Sequence, residues 1–334
     1  GDVQIQGSTT SIAFIDLNDD VEAMLGWGYD WVYGGTTVLE GIQGKVPSEV
    51  VHVISGWELE RSISKPDRYP EPLETIKSAE VAIVVAGEPG DWTGETWPGH
   101  ERDRASLQLP EGQLELIKAV HDTGTPTVVV ILSGRPLAIE WLADHIPAIL
   151  WTWKPGPAGG QAIADVLFGD YNPSGKLPIS FPYTVGQIPV FYNWHSCTRR
   201  TLYIEPFIPP GPLFPFGHGL SYTKFEYSNL TTTPEEIELS GDIKIRVSVD
   251  VQNIGDREGT EVVQLYLRDV VASVIRPVME LKGFKRITLG PGEKRTINFI
   301  LTYDHLAFYN RDMARVIEPG TFEVMIGVMS RDVV

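Results

Sequence analysis

The first half of the chain alternates short, continuously apolar runs with stretches of helical periodicity. The apolar runs, which fit strands buried on both faces, are residues 12–15, 81–85, 127–132 and 148–151. Leu114, Ile117 and Val120 recur at the spacing of one helix face between two of these runs. Strands that alternate with helices favour strand-helix-strand units around a mostly parallel sheet. We therefore predict an α/β three-layer sandwich for this half.

The last third of the chain has a different pattern, in which apolar and polar residues alternate. Every second residue from Ile243 to Val251 is apolar, which gives one buried and one solvated face. The same alternation recurs at residues 263–267, 297–301 and 322–328, and turn signals lie at residues 253–255, 291–292 and 319–320. Short alternating strands separated by turns predict an all-β sandwich.

A stretch rich in proline, glycine and aromatic residues separates the two patterns. We place the α/β domain at residues 1–206, a connector at residues 207–230 and the β-sandwich at residues 231–334. The connector carries Phe207, Phe214, Phe216, Tyr222 and Phe225. Leaving large apolar side chains in water costs roughly 1.5–3 kcal/mol each, so we expect an ordered connector rather than a flexible linker.

Composition narrows the ligands that this chain is expected to bind. In 334 residues, 44 Asp and Glu oppose 27 Lys and Arg, which gives a formal net charge of −17. Such a charge repels nucleic acids and anionic lipid surfaces, so a neutral ligand fits better. Cys197 is the only cysteine, and no histidine spacing resembles a zinc site. We expect no metal, no cofactor and no membrane span.

The strand at residues 81–85 leads into a long loop that could carry chemistry. Glu88 lies at the carboxyl end of this strand, where open α/β sheets place their ligand crevices. The loop also carries the acidic, aromatic and basic residues Trp92, Glu95, Trp97, His100 and Glu101. Glycoside cleavage uses paired carboxylates, and aromatic rings can stack on sugars. Solvated surface acids are the alternative interpretation.

Two other glycine-containing patterns give weaker indications. Residues 133–136 follow a strand but are not a GxSxG nucleophile elbow, and the chain contains no GxGxxG or Walker phosphate loop. Gly159 and Gly160 precede a helix and could bind an anion through free backbone amides. Close packing of that helix on its neighbours is the favoured interpretation of the two glycines.

Several motifs together resemble family 3 glycoside hydrolases, the β-glucosidases and β-xylosidases. The matching segments are residues 37–42, 86–88, 104–107, 131–137, 162–178, 187–190, 215–223 and 276–284. The resemblance implies an N-terminal barrel followed by an α/β-sandwich domain and, often, an immunoglobulin-like sandwich of the fibronectin type III-like kind. Asp16 and Leu17 replace the Gly-Pro that is usual after the first strand.

The resemblance also implies how the catalytic residues are divided between the barrel and the α/β-sandwich domain. The nucleophilic aspartate lies in the barrel, and the general acid/base is a glutamate on the long loop of the second domain. Glu88 is our first match and Glu95 the second, with Glu101 third. Trp92, Trp97 and His100 are the expected substrate-binding residues. No barrel precedes residue 1 of this sequence, so we expect a (β/α)8 barrel subunit or domain as partner.

The predicted function is hydrolysis of terminal β-linked glucosyl or related residues by a retaining mechanism, with this chain as one part of a split enzyme. A non-catalytic carbohydrate-binding or scaffold protein is the rival, and a flavodoxin-like nucleotide-binding protein has only the α/β pattern in its favour. The resemblance favours a secreted or periplasmic protein, although residues 1–10 lack signal-peptide features.

Overall fold

The computed structural model describes residues 5, 9–17, 35–88, 105–110, 112–195, 211–239 and 243–333. The chain divides into two compact units. One comprises Gly1–Tyr171 and Tyr183–Gly186, and the other comprises Asn172–Pro182 and Gln187–Val334. The predicted limit at residue 206 lies outside the described residues, so the exact domain limits stay a prediction.

A five-stranded parallel sheet forms the centre of the first unit. Its strands are β1 (Ile12–Asp16), β2 (Val51–Ser55), β3 (Val81–Gly87), β4 (Thr127–Leu132) and β5 (Ala148–Trp153), in the spatial order β2-β1-β3-β4-β5. β1, β3 and β4 are buried along their whole length, as continuous apolar runs predict. The same prediction for residues 148–151 is wrong in burial, because β5 lies at the edge of the sheet and is only partly buried. β2 was not predicted from the sequence, because His52 interrupts its apolar run; only Val51 and Ile54 are buried in this edge strand.

Helices cover the sheet and give the unit its three layers. They are α1 (Val38–Gln43), α2 (Gly56–Ser64), α3 (Glu71–Ser78), α4 (Gln113–Asp122), α5 (Glu140–His145) and α6 (Gly159–Leu167), with 3-10 turns at Ser48–Val50 and Val185–Gln187. One face of β1, β3 and β4 shares a core with α1 and α6. Capping boxes at Thr37 and Ser55 fix the starts of α1 and α2. No helix in the described ranges is long and apolar enough to cross a membrane.

Glycines allow α1 and α6 to approach each other very closely. A Cβ atom on Gly160 would lie 2.0 Å from the Thr37 carbonyl oxygen, and one on Gly41 would lie 2.2 Å from the Gly160 oxygen. The Gly160 amide donates to the Thr36 carbonyl at 3.0 Å. This amide is therefore used in helix packing, which supports the packing interpretation of these glycines over anion binding.

Replacing Gly160 by alanine should destabilise the α/β unit strongly. The new Cβ would collide with backbone atoms, which cannot rotate away, so we expect a loss of about 3 kcal/mol in the free energy of unfolding. Gly186→Ala is the matched control, because its Cβ would meet only the Thr184 hydroxyl at 3.4 Å. Urea denaturation of both variants measures the difference, and equal stabilities would contradict the packing account.

The second unit consists of antiparallel strands. They are β6 (Phe225–Thr233), β7 (Lys244–Asn253), β8 (Gly259–Asp269), β9 (Glu280–Leu289), β10 (Lys294–Thr302), β11 (Phe308–Tyr309), β12 (Arg315–Val316), β13 (Phe322–Met329) and β14 (Asp332–Val333), with the short helix α7 (Tyr303–Leu306). The two larger sheets have the orders β10-β7-β6 and β14-β13-β8-β9. Val247, Val249 and Val251 face their shared core, which confirms the predicted alternation.

Residues 211–223 of the predicted connector are tied to other parts of the second unit. Phe181 and Phe214 lie with ring centroids 6.1 Å apart, and the Phe181 amide donates to the Phe214 carbonyl at 2.8 Å. The Lys176 ammonium lies 3.1 Å from the Glu261 carboxylate, and both side chains are almost fully buried. Lys176 also donates to the Gly219 carbonyl at 2.7 Å. Lys176 thus bridges Glu261 on β8 and the backbone of this segment.

The same segment should make the stability of the second unit depend on pH. Burial, together with the positive charge of Lys176, lowers the pKa of His218 below its ordinary value of 6.5. The unfolded chain therefore binds a proton at His218 more readily than the folded chain does. We expect the free energy of unfolding to fall as the pH drops below about 6.5. In His218→Gln, urea denaturation at pH 7.5 and 5.5 should show a smaller loss than in the wild type, and an equal loss would contradict this assignment.

Candidate active site

The carboxyl end of β3 has a backbone conformation that requires glycine. Gly87 has a φ of +134°, and a Cβ atom there would lie 1.9 Å from the Leu132 carbonyl oxygen. The buried amide of Gln113 pairs with both backbone polar groups of Gly87: its Oε1 accepts from the amide at 2.9 Å and its Nε2 donates to the carbonyl at 3.0 Å. The next amide, of Glu88, donates to the Leu132 carbonyl at 2.9 Å. These contacts fix the position at which Glu88 leaves the sheet.

The Glu88 carboxylate is enclosed rather than presented to solvent. Its side chain has no exposed surface, and one oxygen lies 3.0 Å from Nε of Arg135. The Ser133 hydroxyl lies 3.1 Å from the same oxygen and also accepts from the Arg135 amide at 3.2 Å. Since β3 and β4 are neighbours in the sheet, the segments that follow them meet at one edge. The carboxyl ends of these two strands therefore share a buried ion pair.

This environment suits a carboxylate that holds other groups in place. Arginine stays protonated at every pH that proteins meet, so the cation beside Glu88 is permanent. A general acid has to carry a proton and deliver it to the leaving oxygen of the substrate. One Glu88 oxygen lies beside Arg135 and Ser133, and the Glu88 side chain has no exposed surface. The Glu88 carboxylate can orient the Arg135 side chain, and the ion pair can anchor the start of the loop.

The other predicted site residues lie outside the described residues. These are Trp92, Glu95, Trp97 and His100, together with Glu101. Both attachment points of their segment are described. It leaves β3 at Glu88, and at its far end the Leu107 carbonyl accepts from the Ala138 amide, in the segment between β4 and α5, at 2.6 Å. The segment that carries these residues therefore begins and ends beside the carboxyl ends of β3 and β4.

An aromatic pair lies at the same edge of the sheet. Trp153 ends β5 in register with Leu132 and makes an edge-to-face contact with Trp151 at 5.7 Å between ring centroids. Its φ of 54° is in the left-handed region, which is uncommon for a non-glycine residue. Both indoles are partly exposed. The two tryptophans therefore place aromatic side chains where β4 and β5 end.

Gln113, Ser133 and Arg135 were not among the predicted site residues. The signal for Ser133 and Arg135 was their position directly after a buried strand, the same signal that identified Glu88. Gln113 gave no comparable signal, since it lies at the start of a helix rather than after a strand. Among the described residues, no three His, Cys, Asp or Glu side chains lie close enough together to hold a metal ion.

Comparison with known protein families gives two matches along the chain. Residues 5–222 match the model of the glycosyl hydrolase family 3 C-terminal domain. Residues 261–330 match the fibronectin type III-like domain. The first match contains the whole parallel sheet and the Glu88–Arg135 pair. The second contains most of the strands of the β-sandwich.

Individual relatives agree with this assignment. The chain is 46% identical over 269 residues to the periplasmic β-glucosidase of Salmonella typhimurium, with 78% of this chain and 34% of the relative covered. It is 43% identical over 302 residues to a β-xylosidase of Formosa agariphila, with 88% of this chain and 40% of the relative covered. It thus spans between a third and two fifths of the length of these curated relatives.

A solved structure has the same fold over almost the whole chain. The β-glucosidase of Listeria innocua in complex with glucose superposes with a TM-score of 0.86 at 36% sequence identity, which covers 99% of this chain and 46% of that one. The fold, the family match and the relatives all lead to one assignment. The chain belongs to glycoside hydrolase family 3.

Proposed function

We propose that this chain supplies the acid/base side of a retaining exo-glycosidase that removes terminal β-linked glucosyl or related residues. A (β/α)8 barrel, as a separate subunit or as another domain, contributes the nucleophilic aspartate. The two carboxyl groups then lie about 5 Å apart on either side of the scissile bond, the spacing of retaining enzymes. Catalysis takes place where the barrel meets the carboxyl edge of the parallel sheet.

The observation that carries this proposal is the anchoring of residues 88 and 107 at one edge of the sheet. The segment begins at Glu88 of the first Gly-Glu pair and contains the second pair, at Glu95, and all three predicted sugar-binding residues. Both of its ends are fixed by backbone hydrogen bonds to β4 or to the segment after it. Such anchoring keeps a long loop within reach of a substrate at this edge.

Of the two glutamates, Glu95 is the better candidate for the acid/base. Glu88 is buried and paired with a permanent cation, which suits a positioning role. Glu95 lies further along the anchored segment, in the second Gly-Glu pair that the family resemblance indicates. We therefore propose that Glu95 donates the proton to the leaving oxygen and later deprotonates water. Glu88 and Arg135 hold the base of the loop.

Reconstitution tests the proposed division of labour. The purified chain alone should not hydrolyse aryl β-glucosides or aryl β-xylosides, whereas the chain joined to a family 3 barrel should hydrolyse at least one of them. Hydrolysis by the isolated chain would contradict the shared site. A chain that binds oligosaccharides but stays inactive with its barrel would instead support the non-catalytic scaffold.

A further inference from the structure

An open groove lies along the free edge of the parallel sheet, on the side of β2. The edge strand forms its floor, and α2 and the start of α3 form its walls. Its volume is about 570 Å³. Small-ligand sites in proteins have volumes of about 300–1,000 Å³, so the groove is large enough for a ligand of that class. Neither Glu88 nor Arg135 is among the residues that line the groove, so the groove is separate from that ion pair.

A stacked arrangement of three side chains holds the aromatic surface of this groove. The Arg61 guanidinium lies 4.3 Å from the ring centroid of Trp57 and 3.8 Å from that of Tyr69. Cation–π contacts of this kind favour one arrangement of the rings. Trp57 is nevertheless 56% exposed, and Val53 on the floor is 51% exposed. An indole that is already ordered loses little conformational freedom when a ligand covers it.

Polar groups surround this aromatic surface. His52 on the floor and Glu71 and Thr75 on α3 contribute side-chain donors and acceptors. Glu58 also lines the groove, but its Oε2 accepts from the Ser55 amide and hydroxyl, each at 2.9 Å, so its orientation is fixed by the helix cap. The two carboxylates are offset in part by Arg61. A neutral ligand therefore fits this lining better than an anion does.

We infer that the groove is a second, non-catalytic binding site for a neutral oligosaccharide. A pyranose ring has one face of C–H groups, which can stack on the indole of Trp57, and a rim of hydroxyl groups, which can bond to His52, Glu71 and Thr75. Among the described residues that line the groove, only Val53 and Trp57 are exposed large apolar side chains, which is too few for a stable protein interface that buries about 800 Å² on each partner. The choice of glucose- and xylose-based probes rests on the proposed function, whereas the groove itself does not.

Titration calorimetry of the purified chain with cellotetraose and with xylotetraose tests this inference. At least one of them should bind saturably, and Trp57→Ala should weaken that binding about tenfold or more. Val53→Glu places a charge on the exposed floor and should weaken it as well. Trp141→Ala is the matched control, because this partly exposed indole stacks on His145 outside the groove and should leave binding unchanged. A thermal melt of each variant checks that it folds.

The same experiment separates this site from the proposed catalytic site. Glu95→Gln should leave calorimetric binding at the groove intact, even though it is expected to impair hydrolysis in the assembled enzyme. Binding that persists in both Trp57→Ala and Val53→Glu, or that disappears in Glu95→Gln, would overturn the groove assignment. Absence of saturable binding of either probe would also overturn it. So would a concentration-dependent dimer that Trp57→Ala abolishes, since the groove would then bind a second copy.

Discussion

In the enzyme assembled from this chain and a barrel, Glu95→Gln should slow the hydrolysis of glycosides with poor leaving groups by about 10²–10⁴-fold. This is the usual contribution of general acid/base catalysis, and the glutamine cannot donate a proton to the departing oxygen. Aryl glycosides with activated leaving groups should be less affected in the first step, because they depart without protonation. Steady-state kinetics with a matched pair of substrates measures the difference.

Glu88→Gln is the control for this prediction. If Glu88 only positions Arg135 and the loop, its replacement should lower the rates for good and poor leaving groups by the same factor. A strong dependence on the leaving group in Glu88→Gln, together with near-normal kinetics in Glu95→Gln, would exchange the roles of the two glutamates.

Removing the cation beside Glu88 should destabilise the α/β unit. Arg135→Met leaves a carboxylate with no exposed surface beside an apolar side chain, and the loss of one partner from a buried pair is costly. The Arg135 side chain is still 20% exposed, which reduces the cost of breaking the pair. We therefore expect a loss of about 2–4 kcal/mol in the free energy of unfolding. Urea denaturation at neutral pH measures it.

A surface ion pair in the same unit provides the matched control. Lys77 pairs with Glu74 at 3.0 Å, and both side chains are more than half exposed. Lys77→Met should therefore cost less than about 1 kcal/mol. The double variant Glu88→Leu, Arg135→Met should recover most of the stability lost in Arg135→Met, because no charge then stays buried without its partner. A cost for Arg135→Met no larger than that for Lys77→Met would contradict the buried pair.

Strands that are buried on both faces were predictable from the sequence. β1, β3 and β4 are continuous apolar runs, which are typical of parallel strands covered on both faces, and the run at residues 148–151 also identified the edge strand β5. β2 was not predicted because the polar residue His52 interrupts its sequence, so that it has no continuous apolar run. Continuity of the apolar run, rather than the degree of burial, therefore decided which strands were predictable.

The position of Glu88 was predictable, but its surroundings were not. A glutamate directly after a buried strand lies at the carboxyl edge of the sheet. Whether Arg135 lies beside it depends on β3 and β4 being neighbours, which is a property of the strand order. The burial of the Glu88 carboxylate beside Arg135 therefore follows from the fold and not from the local sequence. This burial changes the role that we propose for Glu88.

The product that Glu95→Gln forms in the presence of azide tests the proposed acid/base most directly. Azide is a nucleophile that needs no general base, so it should attack the glycosyl intermediate on the barrel aspartate and restore turnover of an activated aryl β-glycoside. Nuclear magnetic resonance of the product should show the β-glycosyl azide, with the anomeric configuration of the substrate retained. An α-glycosyl azide, or normal hydrolysis without any azide product, would contradict the assignment of Glu95 as the acid/base of a retaining enzyme.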